Sequence, residues 1–241
     1  MIDHHRHFRR RLDTAAIAFA AVLPTAVTLV YFVVLSEQPH GVQQAAWALG
    51  KLGQFAFPLF WIFGIQGARV RIGPIRWRGL GTGVVSGVLM GAVIVGLYHL
   101  WLGPSGVLAE PTDAMHAKLA GLGLDSVARY LAFAAFLSLA HSFLEEYYFR
   151  WFVFGQMRRL LSVKSSIALA SVAFAAHHVL VLAVYFGWAS PLTWLGVAGV
   201  AAGGAFWAWL YDRTGSLLGP WISHLLVDAA IMAVGYDLLL A

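Results

Sequence analysis

Cysteine is absent from the 241 residues. That excludes disulfides, thiolate metal sites, iron–sulfur clusters and a cysteine nucleophile. Charge is scarce too, at 11% of residues, where a soluble domain carries ~25%. No internal repeat, low-complexity tract or domain-separating linker is visible. The chain contains no His-Glu-x-x-His zinc pattern, and the glycine-rich stretch from Gly79 to Gly96 lacks a phosphate-loop pattern. Its glycines suit close helix packing instead. Against these absences stands a 60% hydrophobic share, about 145 side chains. So few charges cannot screen that much apolar surface from water. A membrane-spanning helix uses ~20 apolar residues, so seven spans would use ~140. The composition excludes a soluble globular enzyme, a disordered chain and a nucleic-acid module. The basic pI of 9.7 reports membrane topology rather than a nucleic-acid partner.

Apolar runs and their polar punctuation predict an all-α, polytopic transmembrane helix bundle with about seven spans. They run from about Thr14 to Ser36, Gln44 to Ile65, Leu80 to Leu102, Val127 past Arg150, Ser165 to Gly187, Leu192 to Leu210 and Leu217 to Leu240. Between the third and fourth lies a polar loop with Glu110, Asp113, His116, Lys118 and Asp125. Residues 1–126 hold three spans and this loop, and 127–241 the remaining four, within one structural domain overall. Of 16 basic residues, 13 fall on one side: Arg6, Arg9, Arg10 and Arg11; Arg69, Arg71, Arg76 and Arg78; Arg150, Arg158, Arg159 and Lys164; and Arg213. The positive-inside rule puts that side in the cytoplasm, with the N-terminus in and the C-terminus out. Short basic loops fit a bacterial inner membrane. The first apolar run exceeds the ~7–15 residues of a signal-peptide core and is read as a retained helix.

Ionisable groups inside apolar spans are expensive and are functional candidates by default. The fourth span carries His141-Ser142-Phe143-Leu144-Glu145-Glu146-Tyr147-Tyr148-Phe149-Arg150. Adjacent glutamates point ~100° apart on a helix and so take different roles. Glu146 and Arg150 are at i,i+4 in the favourable order for an ion pair. Glu145 has His141 at i−4 as its nearest helical neighbour, and its place suits a general base acting on water. The fifth span carries Phe174-Ala175-Ala176-His177-His178 among small residues; one histidine at most can join Glu145. The seventh carries His224 and Asp228 at i,i+4 on one face, where the carboxylate can orient the imidazole or hold a substrate oxygen. His224 and His178 lie roughly 11 and 20 Å from the cytoplasmic ends at ~1.5 Å per residue. Convergence of Glu145, His178 and His224 in the inner leaflet is the expectation. His99 and His141 read as interface or interhelical hydrogen-bonders, and Lys51 receives no function.

The Glu145-Glu146-x-x-x-Arg150, Phe174-x-x-x-His178 and His224-x-x-x-Asp228 segments, in this order on successive helices, resemble the three motifs of the CPBP intramembrane proteases. These are also called Abi or CAAX-protease-like, and include the endoprotease that trims prenylated CAAX proteins. The resemblance covers roughly residues 127–240. It implies an endopeptidase acting on a membrane-anchored or prenylated protein within the lipid bilayer. Glu145 would activate water with His178, while His224 and Asp228 would line the oxyanion side of the scissile carbonyl. Glu146, Arg150 and Phe174 would support the site or contact substrate. The family often has Asn where this chain has Asp228. An Asp donates a hydrogen bond only when protonated, so orienting His224 is its other role. The His177-His178 pair and compact size also suit a subgroup resembling sorting proteases of the myxosortase type. No metal or cofactor is implied. A zinc ion held by Glu145, His178, His224 and Asp228 is the alternative chemistry. The rival classes are a proton-coupled transporter using Glu145, His178 and Asp228 as a relay, and an immunity protein with a decayed site. The first normally shows inverted repeats, and the second is disfavoured by competent residues at every motif position.

Overall fold

The computed structural model describes residues 2–69 and 76–240, without the side chains of residues 2–9 and Glu110. Arg71 and the side chains of Arg6 and Arg9, used above for topology, lie outside the described residues. The described residues form an all-α, polytopic fold. Among the described residues, seven helices are long and apolar enough to cross a membrane. α1 (Ile2–Leu29) and α2 (His40–Leu59) each run on into a π-helical end, Val30–Val34 and Phe60–Ile65. α3 (Leu80–Leu97) likewise continues through Tyr98–Leu102. α4 (Ala109–Gly121) is short, and α5 spans Val127–Met157. α6 (Val163–Phe186), α7 (Pro191–Thr214) and α8 (Leu218–Leu240) complete the chain.

The stretches apolar enough to cross a membrane, the first of them Arg10–Val34 within α1 and its π-helical end, agree with the sequence to within four residues. α4 is the exception, because the segment expected as a polar loop is helical. Its one proline, Pro111, stands in the first turn, where a missing N–H costs no helical hydrogen bond. Thr112 Oγ1 also donates back to the Leu108 carbonyl at 2.6 Å.

The contacts divide the chain into two compact units. The first comprises Met1–Pro74 and Tyr148–Ala208, the second Ile75–Tyr147 and Trp209–Ala241. In the first, α1 packs on α6 and α2. The Tyr148 hydroxyl donates to the Ala20 carbonyl at 2.7 Å. The Gln66 amide donates to Asp13 Oδ1 and Gln156 Oε1, both at 2.9 Å. These bonds tie three helices together where hydrophobic force between helices is lacking. α6 begins at Ser162, whose hydroxyl accepts from the Ser165 N–H at 3.2 Å, an N-cap. It stops at Gly187, whose φ of 85° favours glycine.

The second unit is built on α3 against α8. Gly83, Gly87 and Gly91 recur every fourth residue, so they form one stripe facing α8. A Cβ on Gly83 would run into the Gly219 carbonyl, and one on Gly87 would stand 2.9 Å from Leu226 Cβ and 3.0 Å from Ser223 Cα. The Ser86 and Ser223 hydroxyls bond across this contact at 3.0 Å. Close approach of this kind is how membrane helices gain dispersion energy. Gly87→Leu should therefore destabilise the protein by about 1–3 kcal/mol or more. The check is a lower melting temperature in detergent than for Gly81→Leu, since Gly81 has open space around it. Equal melting temperatures for the two variants would contradict the packing role of the stripe.

Candidate active site

Glu145 and Glu146 lie in one α-helical stretch, Ser142–Glu146, between π-helical stretches Leu137–His141 and Tyr147–Phe154 of α5. π-helical turns mark functional sites more often than other parts of helices. The Ser142 hydroxyl donates to the Ser138 carbonyl just before the acids. Within the second unit, α5 is tied to α8 at points that precede the acids on α5 and flank His224 and Asp228 on α8. Tyr130 donates its hydroxyl to the Met232 carbonyl at 2.8 Å. The Trp221 indole donates to the Leu139 carbonyl at 3.0 Å, and its ring meets Phe143 edge-on at 5.4 Å.

Beside these ties the two helices bring together five ionisable side chains. His224 is buried, at 4% exposure. Its Nδ1 stands 2.8 Å from Glu146 Oε1. A carboxylate oxygen accepts, so Nδ1 carries the proton and donates. The other ring nitrogen, Nε2, lies 3.5 Å from Asp228 Oδ1 and 3.7 Å from Glu145 Oε2. The second oxygen of Glu145, Oε1, lies 3.3 Å from His141 Nε2. Each oxygen of the Glu145 carboxylate thus faces an imidazole. Glu145 and Glu146 are themselves 3% and 0% exposed. Among the described residues no group of three or more His, Asp or Glu has the arrangement that would hold a metal ion.

The expected i,i+4 pair of His224 and Asp228 is present, but the nearer orienting group is Glu146, from another helix. The two glutamates do take different roles, as their angular separation requires. They do so around one imidazole, each at its own nitrogen. His141 is the residue whose importance spacing understated. Its i−4 relation to Glu145 was the available clue.

The remaining expected residues belong to the first unit. Arg150 is buried at 2% exposure. Its guanidinium lies over the Phe174 ring, 4.4 Å from the centroid, and 5.1 Å from that of Trp207. Nη2 donates to the Gly204 carbonyl at 3.4 Å. Aromatic faces attract a planar cation and partly replace lost hydration. Gly204 leaves room for it, since a Cβ there would stand 3.1 Å from Phe174 Cδ1. Trp207 and Gly204 carry no polar motif and were not singled out in the sequence. His177 is buried and stacks on Phe149, with centroids 5.8 Å apart and planes inclined by 12°. Half-buried His178 directs Nδ1 at the Phe174 carbonyl, 3.0 Å away. A carbonyl can only accept, so the neutral His178 ring keeps its lone pair on Nε2.

Residues 127–230 match the family model described as type II CAAX prenyl endopeptidase Rce1-like. No curated protein and no solved structure matches the chain. The matched segment contains all three polar motifs and, with them, every residue of the carboxylate–imidazole cluster. Residues 127–230 form an Rce1-like domain of the CAAX-protease (CPBP) family, and the protein is an integral membrane endopeptidase of that general type.

Proposed function

We propose that the chain hydrolyses one peptide bond of a membrane-anchored or prenylated protein, close to the inner-leaflet surface, with Glu145 activating the attacking water. The observation that carries this reading is the buried Glu145 carboxylate with an imidazole at each oxygen. A carboxylate held between imidazoles in apolar surroundings can take a proton from water and return it. His178, with Nδ1 directed at the Phe174 carbonyl, offers its Nε2 lone pair as a second acid–base group. Glu146 holds the proton on His224 Nδ1. A second ring proton, on Nε2, makes His224 a donor that, with Asp228, lines the side of the carbonyl where negative charge develops. Arg150 and Phe174 hold each other in a supporting cation–aromatic contact within the first unit. The helices of residues 127–241 carry the chemistry, and residues 1–126 supply the first three spans.

In bond terms, water loses a proton to Glu145 and its oxygen adds to the carbonyl carbon. The carbon–nitrogen bond then breaks, and the departing nitrogen receives that proton. The products are a carboxylic acid and an amine, with no redox change and no metal in the cycle. The basic ends face the cytoplasm, in a bacterial inner membrane.

The test is cleavage of prenylated and unprenylated anchor peptides in liposomes by the purified protein, before and after exhaustive chelation. The expected outcome is cleavage of a membrane-held peptide, unchanged by the chelator. Complete loss on chelation with recovery on adding zinc would overturn the metal-free chemistry. Proton flux without cleavage would favour the transporter class, to which the cluster of ionisable groups inside apolar helices also lends itself. Comparing membrane proteomes of cells carrying wild type and Glu145→Ala would identify the natural substrates as accumulated precursors.

A further inference from the structure

We infer that His141 is the proton relay of Glu145: it takes up the proton that the carboxylate removes from water and returns it for the departing amine. The inference rests on Glu145 as the base. Two imidazoles flank that base, and they are not equivalent. His224 is 4% exposed, and its Nδ1 proton is committed to Glu146. Its Nε2 also faces Asp228, so it stands among three carboxylates. His141 differs on each count. It is one turn before Glu145 on the same helix, with Nε2 at 3.3 Å from Oε1, and its side chain is 24% exposed. It therefore joins the buried carboxylate to the edge of the unit, while His224 is enclosed. Of the ionisable groups packed around Glu145 within this unit, Glu146 and Asp228 reach it from α5 and α8 by way of His224, and His141 meets its other oxygen directly.

The proton path is balanced. Water's O–H bond breaks, the proton moves to Glu145 Oε1, and hydroxide oxygen bonds the carbonyl carbon. With the proton on Oε1, the partly exposed His141 ring takes its Nδ1–H tautomer by exchange with solvent, and the proton passes from Oε1 to the lone pair this leaves on Nε2. That restores the Glu145 carboxylate and leaves His141 as an imidazolium beside it, a charge-assisted hydrogen bond. When the carbon–nitrogen bond breaks, the proton returns through Glu145 to the leaving nitrogen. His141 touches no substrate atom, so its role is that of a relay and positioning residue.

The experiment measures kcat and KM on a membrane-held peptide for wild type, His141→Ala, His141→Gln and Glu145→Gln, with and without added imidazole. Expected is a fall in kcat of about 10²-fold for His141→Ala, in the range of a lost acid–base group, with KM within about twofold. Imidazole should restore at least about tenfold of that loss, because the vacated position is partly exposed. His141→Gln keeps a hydrogen-bonding amide but cannot carry a proton, and should stay low. Wild-type kcat in His141→Gln would overturn the inference. So would a loss in His141→Ala that imidazole leaves untouched, which marks a packing role. Should His141→Ala fail to fold, by thermal unfolding in detergent, the glutamine variant decides alone. Wild-type cleavage by Glu145→Gln would instead overturn the base assignment, and the relay with it.

Discussion

Replacing Glu145 with glutamine lowers kcat to background, a loss of about 10²–10⁴-fold, while the protein stays folded and inserted. The substitution preserves shape and leaves an amide able to bond with His141 and His224. What it removes is the ability to accept a proton from water. Glu145 is 3% exposed and lies within 4 Å of two imidazoles, so an isosteric change isolates chemistry from packing. Measured by single-turnover cleavage in liposomes, the variant should bind substrate with near-normal affinity. Normal processing by Glu145→Gln would sink the proposed mechanism.

Glu146→Gln has the second-largest expected effect, for a different reason. In the native site a carboxylate oxygen accepts from His224 Nδ1 at 2.8 Å. A glutamine carries no charge to hold a doubly protonated ring and can present its NH₂ to Nδ1, which leaves His224 neutral and removes the cation facing Asp228 and Glu145. Expected is a fall in kcat of about 10²–10⁴-fold with little change in KM. Nitrogen-15 NMR of His224 should show Nδ1 lose its proton. Glu146→Ala adds a stability defect of about 3–5 kcal/mol, because it strips one partner from a buried charged pair. A Glu146→Gln enzyme with native kcat would contradict the orienting role.

The spans were legible because the bilayer imposes one signal, a long apolar run, that local sequence carries whole. Leu80–Leu102, for instance, has the same limits in sequence and structure. The glycine stripe on α3 was legible in kind, as small residues at helical spacing. Its partner, α8, was not, because nothing in residues 83–91 names the helix they meet. The same limit applied at the site. His224 and Asp228 are neighbours by spacing alone, and so are His141 and Glu145. The bond from Glu146 to His224 joins residues 78 apart, and no periodicity encodes it. Glu146 looked suited to Arg150, a cation one turn away. Arg150's resting place over Phe174 and Trp207 depends on two further helices. α4 was missed because Glu110, Asp113, His116 and Lys118 break its alanines into pieces, so the criterion of a long apolar run had nothing to register.

The acids sit in five α-helical residues bracketed by wider turns, Leu137–His141 before and Tyr147–Phe154 after. Their bearing toward His224 is therefore set by how many residues the bracketing turns contain, as well as by which ones. Removing one residue from the first bracket would let the helix tighten and swing the glutamates by ~100°, away from the imidazole that joins them. This part of the helix is more tolerant of a change of letter than of a change of length. Lineages that keep the enzyme should then accept substitutions through 137–141 and 147–154 while insertions and deletions there are purged.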